Sequence, residues 1–108
     1  MKLYIGGAFQ GQAALARTQN PDAVIIEDFH LLIRKKMNQH ADIQEYIKTL
    51  CETQPDCVIV SDEIGSGIVP IDQNDRLWRE TVGRALCTIA RQAEQVIRVV
   101  CGIGVRIK

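Results

Sequence analysis

Four short apolar runs, Lys2–Ile5, Ala23–Ile26, Cys57–Val60 and Val96–Cys101, alternate along the chain with stretches whose apolar residues return at helical spacing. Strands and helices in alternation bury their apolar surface best as a mainly parallel sheet with helices on both faces, a three-layer α/β/α arrangement. Cys57–Val60 does not alternate apolar with polar residues, as a strand covered on both sides requires. Between the runs, Gln12–Thr18 can form a short helix before Asn20-Pro21-Asp22 breaks the chain. Phe29, Ile33 and Met37 recur every fourth residue. Asp42 is placed to cap a further helix, with Glu45 three residues on and a stripe of Ile43, Tyr46, Ile47, Leu50 and Cys51. Pro55-Asp56 ends it. Asp72 is the expected cap of the longest helix, whose stripe is Trp78, Val82, Leu86, Ile89, Ala90 and Ala93. Gly83 interrupts that helix at a cost of about 1 kcal/mol against alanine, which points to a close backbone approach there. Gly102 and Gly104 punctuate the last run, and Val105–Lys108 can add a short terminal strand.

At 108 residues the chain is expected to be a single domain, 1–108, without room for a second catalytic one. Thirteen Lys and Arg balance thirteen Asp and Glu, so the electrostatic footprint of a nucleic-acid binder is missing. The basic run Arg34-Lys35-Lys36 reads as a solvated helix face. No apolar run approaches the roughly 20 residues that span a bilayer, and no signal peptide precedes the first strand. Cys51, Cys57, Cys87 and Cys101 show no CxxC pairing and sit in apolar periodic stretches. They read as buried, reduced thiols of a cytoplasmic protein. A zinc site would need His30 and His40, which lack ligand spacing and read as surface or helix-end residues.

Two segments can carry chemistry. Gly6-Gly7-Ala8-Phe9-Gln10-Gly11-Gln12-Ala13 follows a strand and opens a helix, as a phosphate-binding loop does. A working loop of the form GxxxxGK[ST] adds a lysine that reaches the β and γ phosphates and a hydroxyl that holds magnesium. Gln12 stands at the lysine position and Ala13 at the hydroxyl position. The second segment, Ser61-Asp62-Glu63-Ile64-Gly65-Ser66-Gly67-Ile68-Val69-Pro70, leaves the carboxyl end of a strand, where open α/β sheets bind ligands.

This second segment, with Val60 before it, resembles the V-[ST]-N-E-[VI]-G-x-G-[IV]-V-P signature of the adenosylcobinamide kinase / adenosylcobinamide-phosphate guanylyltransferase family. Arg76 falls at a family arginine, Trp78 replaces an aromatic, Gly83-Arg84 matches a G-R pair, and Val99–Lys108 is similar to the family terminus. The glycine loop and Ala23–Glu27 follow in family order, with Glu27 at the Walker-B acidic position and Asp28 beside it. The resemblance implies a P-loop NTPase-like fold of RecA type, with parallel strands in the order 2-3-1-4 plus a short terminal strand. It also implies Gly6–Ala13 as the phosphate site, Glu27 and Glu63 as catalytic candidates, and Asp62, Gly65, Gly67 and Arg76 as the substrate loop. The bland alternatives are a helix cap for Glu27 and Asp28, a turn-fixing hydrogen bond for Glu63, and a core position for Trp78 rather than base stacking.

The departures weigh as much. The long family segment between the first helix and the next strand, which bears the guanylylated histidine, is replaced by Arg17–Asp22. Asp62 stands where the family has asparagine. Arg17, Arg76, Arg79 or Arg84 could substitute for the lost lysine. The resemblance therefore implies a cobalamin-pathway protein with weak binding of ATP or GTP, with or without Mg, a nucleotide and a corrinoid as partners, and self-association into a homo-oligomer. Guanylyl transfer is expected to be lost. The alternatives are an active adenosylcobinamide kinase and a non-catalytic structural subunit of a larger complex.

Overall fold

The computed structural model describes residues 1–64 and 72–108. Its strands are β1 (Lys2–Gly6), β2 (Ile25–Ile26), β3 (Val58–Asp62), β4 (Gln95–Val100) and β5 (Ile103–Arg106). The helices are α1 (Gln12–Gln19), α2 (Phe29–Asn38), α3 (Ile43–Thr53) and α4 (Gln73–Gln92). The strands form one sheet in the order β2-β3-β1-β4-β5, all parallel except β5, which runs antiparallel to β4. This is the order the family resemblance implies. β2 is shorter than its apolar run because pairing with β3 starts only where Val58 N–H donates to Val24 O at 2.8 Å.

Alternate residues of the buried strands feed two cores. Leu3, Ile59 and Val96 face α2, α3 and α4, joining Phe29, Ile33, Ile47, Val82 and Ile89. Tyr4, Val58, Val60, Ile97 and Val99 face the opposite way, where α1 supplies Ala16. Among the described residues the sheet thus lies between one helix and three. The caps form as the residue types dictate: Asp42 accepts from Glu45 N at 3.1 Å, and Asp72 from Asn74 N at 2.7 Å and Asp75 N at 3.3 Å. Two residues of the predicted solvated face also hold helices together. Arg34 of α2 pairs with Asp75 of α4 at 2.8 Å and covers the Trp78 ring, while Lys36 lies 4.1 Å over Tyr46.

Four expectations are corrected. Gly83 marks no close approach, because it faces outward from α4 and no described atom lies within 4 Å of where its Cβ would stand. Among the described residues the close approaches are at Gly6, whose Cβ would meet the Val99 carbonyl oxygen at 2.6 Å, and at Gly104, against Leu15 and Ile97. All four cysteines are free thiols, yet only Cys57 is buried and Cys51 half-buried; Cys87 on α4 and Cys101 are exposed. Cys101 is exposed because it opens the β4–β5 turn. It and Gly102 take φ of 50° and 75°, the pair of positive values that a two-residue hairpin needs. That turn lets β5 begin at Ile103 rather than Val105. His30, finally, is only 6% exposed, since the first turn of α2 points it inward. His40 is exposed at the end of α2, as expected. No described helix is long and apolar enough to cross a membrane.

Candidate functional site

β1 is central in the sheet, and its last residue, Gly6, lies in register with Asp62 of β3 and Val99 of β4. The glycine loop therefore emerges at the carboxyl edge between two neighbouring strand ends. Gly6 O also accepts from Glu63 N at 2.8 Å. Within the loop, Phe9 and Gly11 have φ of 60° and 86°. Positive φ suits glycine and strains a bulky aromatic, and Phe9 is fully exposed at the loop tip. Gln10 fastens the loop to the β4–β5 turn: its Oε1 accepts from Cys101 N and its carbonyl from Gly102 N, both at 2.7 Å. This tie spans the length of the chain and leaves no sequence signal.

Gly11 is the N-cap of α1 and offers no side-chain cap. Leu15 N–H makes the bond to Gly11 O, so the N–H groups of Gln12, Ala13 and Ala14 lie ahead of the helical ladder. Such a helix end favours anions through its N–H groups and its dipole. Gln12 turns away from solvent, 5% exposed, and its Nε2 lies 3.3 Å from Gly6 O, 3.1 Å from Gly7 O and 2.8 Å from Asp62 Oδ1. An amide nitrogen has two hydrogens, and three acceptors already surround this one. It is left with no hydrogen for a phosphate.

The other carboxylate oxygen of Asp62 faces His30. Asp62 N–H donates to His30 Nδ1 at 3.2 Å, and Nε2 lies 3.5 Å from Asp62 Oδ2. Trp78 Nε1 donates to the His30 carbonyl at 2.8 Å, and the two rings lie 6.4 Å apart. Trp78 is half-buried against the core, and its indole edge is engaged.

The remaining sequence-predicted residues are scattered. Glu27 follows the edge strand β2, one strand removed from the loop, and is ion-paired with Arg17. Asp28 precedes α2 at φ 51° and makes no side-chain cap. Glu63 is half-buried, with Arg98 at 3.9 Å, beside an apolar cavity of about 310 Å³ formed by Ile5, Ile64, Val82, Leu86 and Ile107. Arg76 is exposed on α4, and Arg84 pairs with Glu80 of the same helix. Gly65 and Gly67 lie outside the described residues. A larger hollow of about 860 Å³, against Asn20, Val24, Thr53 and Pro55, opens at the opposite edge of the sheet, away from the glycine loop. Among the described residues no three of His, Cys, Asp and Glu are grouped to hold a metal ion. The contact of His30 with Asp62 is one that sequence patterning does not reveal, and Gln10, although inside the predicted loop, is tied to a turn that the patterning does not connect with it.

Residues 7–107 match the family model described as cobinamide kinase / cobinamide phosphate guanyltransferase. Over 69 residues the chain is 39% identical to the bifunctional adenosylcobalamin biosynthesis protein CobU of Escherichia coli strain K12, a match covering 64% of this chain and 38% of that protein. The protein of the same name from Salmonella typhimurium strain LT2 is 45% identical over 51 residues, covering 47% of this chain and 28% of its own length. The matches thus span well under half the length of either relative.

Proposed function

Since the chain belongs to the cobinamide kinase / cobinamide phosphate guanyltransferase family, we propose that it serves cobalamin biosynthesis as a weak nucleotide-binding member without guanylyl-transfer activity. The observation that carries this reading is the state of Gln12. Its amide occupies the inner side of the loop, satisfies Gly6 O, Gly7 O and Asp62, and has no hydrogen left for a ligand. Phosphate recognition then falls to the backbone N–H groups at the start of α1. Losing one charged hydrogen bond weakens binding by about 1.5–3 kcal/mol, and losing a positioned electrostatic group costs about 10² to 10³ in rate. Arg17 and Arg84 are held by Glu27 and Glu80, so neither is poised to replace the lysine. The histidine of guanylyl transfer has no counterpart, because α1 and β2 are joined directly by Asn20–Val24 and both histidines follow β2.

Magnesium fits these residues poorly. Ala13 has no hydroxyl, and the Asp62 carboxylate already lies between Gln12 and His30. Binding of ATP or GTP is therefore expected with or without the ion, at about 0.1–1 mM, or roughly 4–5.5 kcal/mol. Calorimetry with each nucleotide, in magnesium and in chelator, tests this; absence of heat at several millimolar would remove the reading and favour a purely structural subunit. The corrinoid of the pathway is the expected second ligand, recognised at the carboxyl edge near Glu63. Self-association is also part of the proposal. Val100, Ile103, Val105 and Ile107 are exposed together at the β5 end of the sheet, an apolar surface that a partner copy can cover. Light scattering that returns a monomer mass at micromolar concentration would contradict it.

A further inference from the structure

We propose that His30 is a positioning residue of the glycine-loop site, holding the Asp62 carboxylate so that its other oxygen meets Gln12. The proposal rests on the nucleotide-binding reading for its effect on affinity, whereas the contacts stand without it. His30 is an ionisable side chain with only 6% exposure, and burying a polar ring costs free energy unless its nitrogens find partners. Both nitrogens face one residue, Asp62. Nδ1 accepts from Asp62 N–H at 3.2 Å, so the neutral ring must carry its hydrogen on Nε2, which faces Asp62 Oδ2 at 3.5 Å. The ring thereby fixes both the backbone and the carboxylate of Asp62.

The grip continues in both directions. Behind His30, its carbonyl accepts from Trp78 Nε1 at 2.8 Å and its ring leans on the indole, which ties it to α4. Ahead of it, Asp62 Oδ1 accepts from Gln12 Nε2 at 2.8 Å, and that amide reaches the Gly6 and Gly7 carbonyls. Polar side chains thus link the three-helix layer to the glycine loop around the carboxyl edge of the sheet. Without the histidine, the Asp62 N–H would lose its acceptor and the carboxylate would be free to rotate. Gln12 would then be released from one of its three acceptors and the loop would lose its fixed shape.

Nitrogen chemical shifts of His30 in the wild-type protein give the first test. They should report hydrogen on Nε2, and hydrogen on Nδ1 would overturn the proposal. His30→Phe keeps the ring volume and removes both nitrogens, while His30→Asn restores an acceptor near Nδ1. In His30→Phe, the side-chain amide resonances of Gln12 and the backbone N–H of Asp62 should shift and exchange faster, and GTP affinity should fall at least threefold. His30→Asn should recover part of each change. A purely packing role would instead lower the melting temperature of His30→Asn more than that of His30→Phe and leave the Gln12 amide where it was; that pattern would also overturn the proposal. If the wild type binds no nucleotide, the functional reading falls, and the tautomer and amide measurements still decide the role of His30.

Discussion

Restoring the lysine at position 12 tests the reading of the glycine loop most directly. Gln12 presents two hydrogens to three acceptors at 3.3, 3.1 and 2.8 Å, whereas a lysine ammonium presents three and can satisfy all of them without a ligand. When a nucleotide binds, the ammonium can exchange loop carbonyls for phosphate oxygens, gaining about 1.5–3 kcal/mol, which is roughly 10- to 150-fold in affinity. Asp62 opposes this by holding the ammonium. Its side chain is 30% exposed, so solvent screens the pairing, and we expect Gln12→Lys alone to reach the lower end of that range. Adding Asp62→Asn should bring it toward the upper end. Adding Ala13→Ser to Gln12→Lys supplies the missing hydroxyl and should make binding magnesium-dependent, which wild-type binding is not expected to be. Calorimetry with GTP, in magnesium and in chelator, measures these differences, with thermal melts to confirm folding. Gln12→Lys that melts like the wild type and binds no more tightly would refute the claim that spent donors at position 12 limit the site.

Two further expectations concern the scaffold. Gly6→Ala places a Cβ 2.6 Å from the Val99 carbonyl oxygen, so β1 and β4 must move apart; overpacking of this kind costs about 1–3 kcal/mol, or roughly 5–20 °C in melting temperature. Gly104→Ala meets the end of Leu15 at 2.8 Å, which can turn aside, and the Ile97 Cγ2 methyl at 2.9 Å, both side-chain atoms and not backbone, so it should melt higher than Gly6→Ala, and the reverse order would contradict the geometry. Among the thiols, exposed Cys87 and Cys101 should react with a disulfide reagent well before Cys57, whose burial pushes it above the ordinary value of 9.0. A thiol raised on folding contributes stability that is present below its unfolded value and is lost as pH climbs through the folded one, so melting temperatures should decline above about pH 9. Equal labelling rates at all four cysteines would show that Cys57 is not buried.

The fold was legible because it depends on local patterns that agree with one another. The apolar runs, Asp42 and Asp72 as caps, and Asn20-Pro21 and Pro55-Asp56 as breaks each act within a few residues, and each is found in the structure, with β2 shorter than its run and Cys101 left to the turn after β4. The strand order came from the family resemblance, and it has a consequence for the acids. With β3 next to β1, the acidic residue in register with Gly6 is Asp62, while Glu27, just past β2, stands one strand further out and pairs with Arg17. The contacts that complete the site are non-local. Nothing near Gln10 announces the turn at Cys101, and nothing near His30 announces Asp62, because each partner is delivered by the sheet. Exposure of Cys87 and Gly83 failed to show for a related reason. A helix stripe read from sequence gives the apolar side of α4 but not how far its neighbours extend around it.

The substitutions at positions 12 and 62 make sense only together. Where the resembled family has lysine and asparagine, this chain has Gln12 and Asp62, so the cation has been lost and an anion has appeared on the facing strand. A hydrogen bond joins the two positions at 2.8 Å. An asparagine at 62 would set two amides against each other, with fewer acceptors for Gln12, whereas a carboxylate accepts from Gln12 on one oxygen and turns the other toward His30 Nε2, 3.5 Å away. The arrangement is fully satisfied, and among the described residues no buried side-chain nitrogen or oxygen lacks a partner. Its formal charge is two units more negative than the lysine and asparagine pair, which disfavours the polyphosphate that such a loop ordinarily holds. A loop lysine acts by being free to leave the protein for the phosphate. Gln12 is bound in place by groups that would each lose a partner if it left, so under the proposed reading the donor at position 12 is part of the scaffold and not free for a ligand.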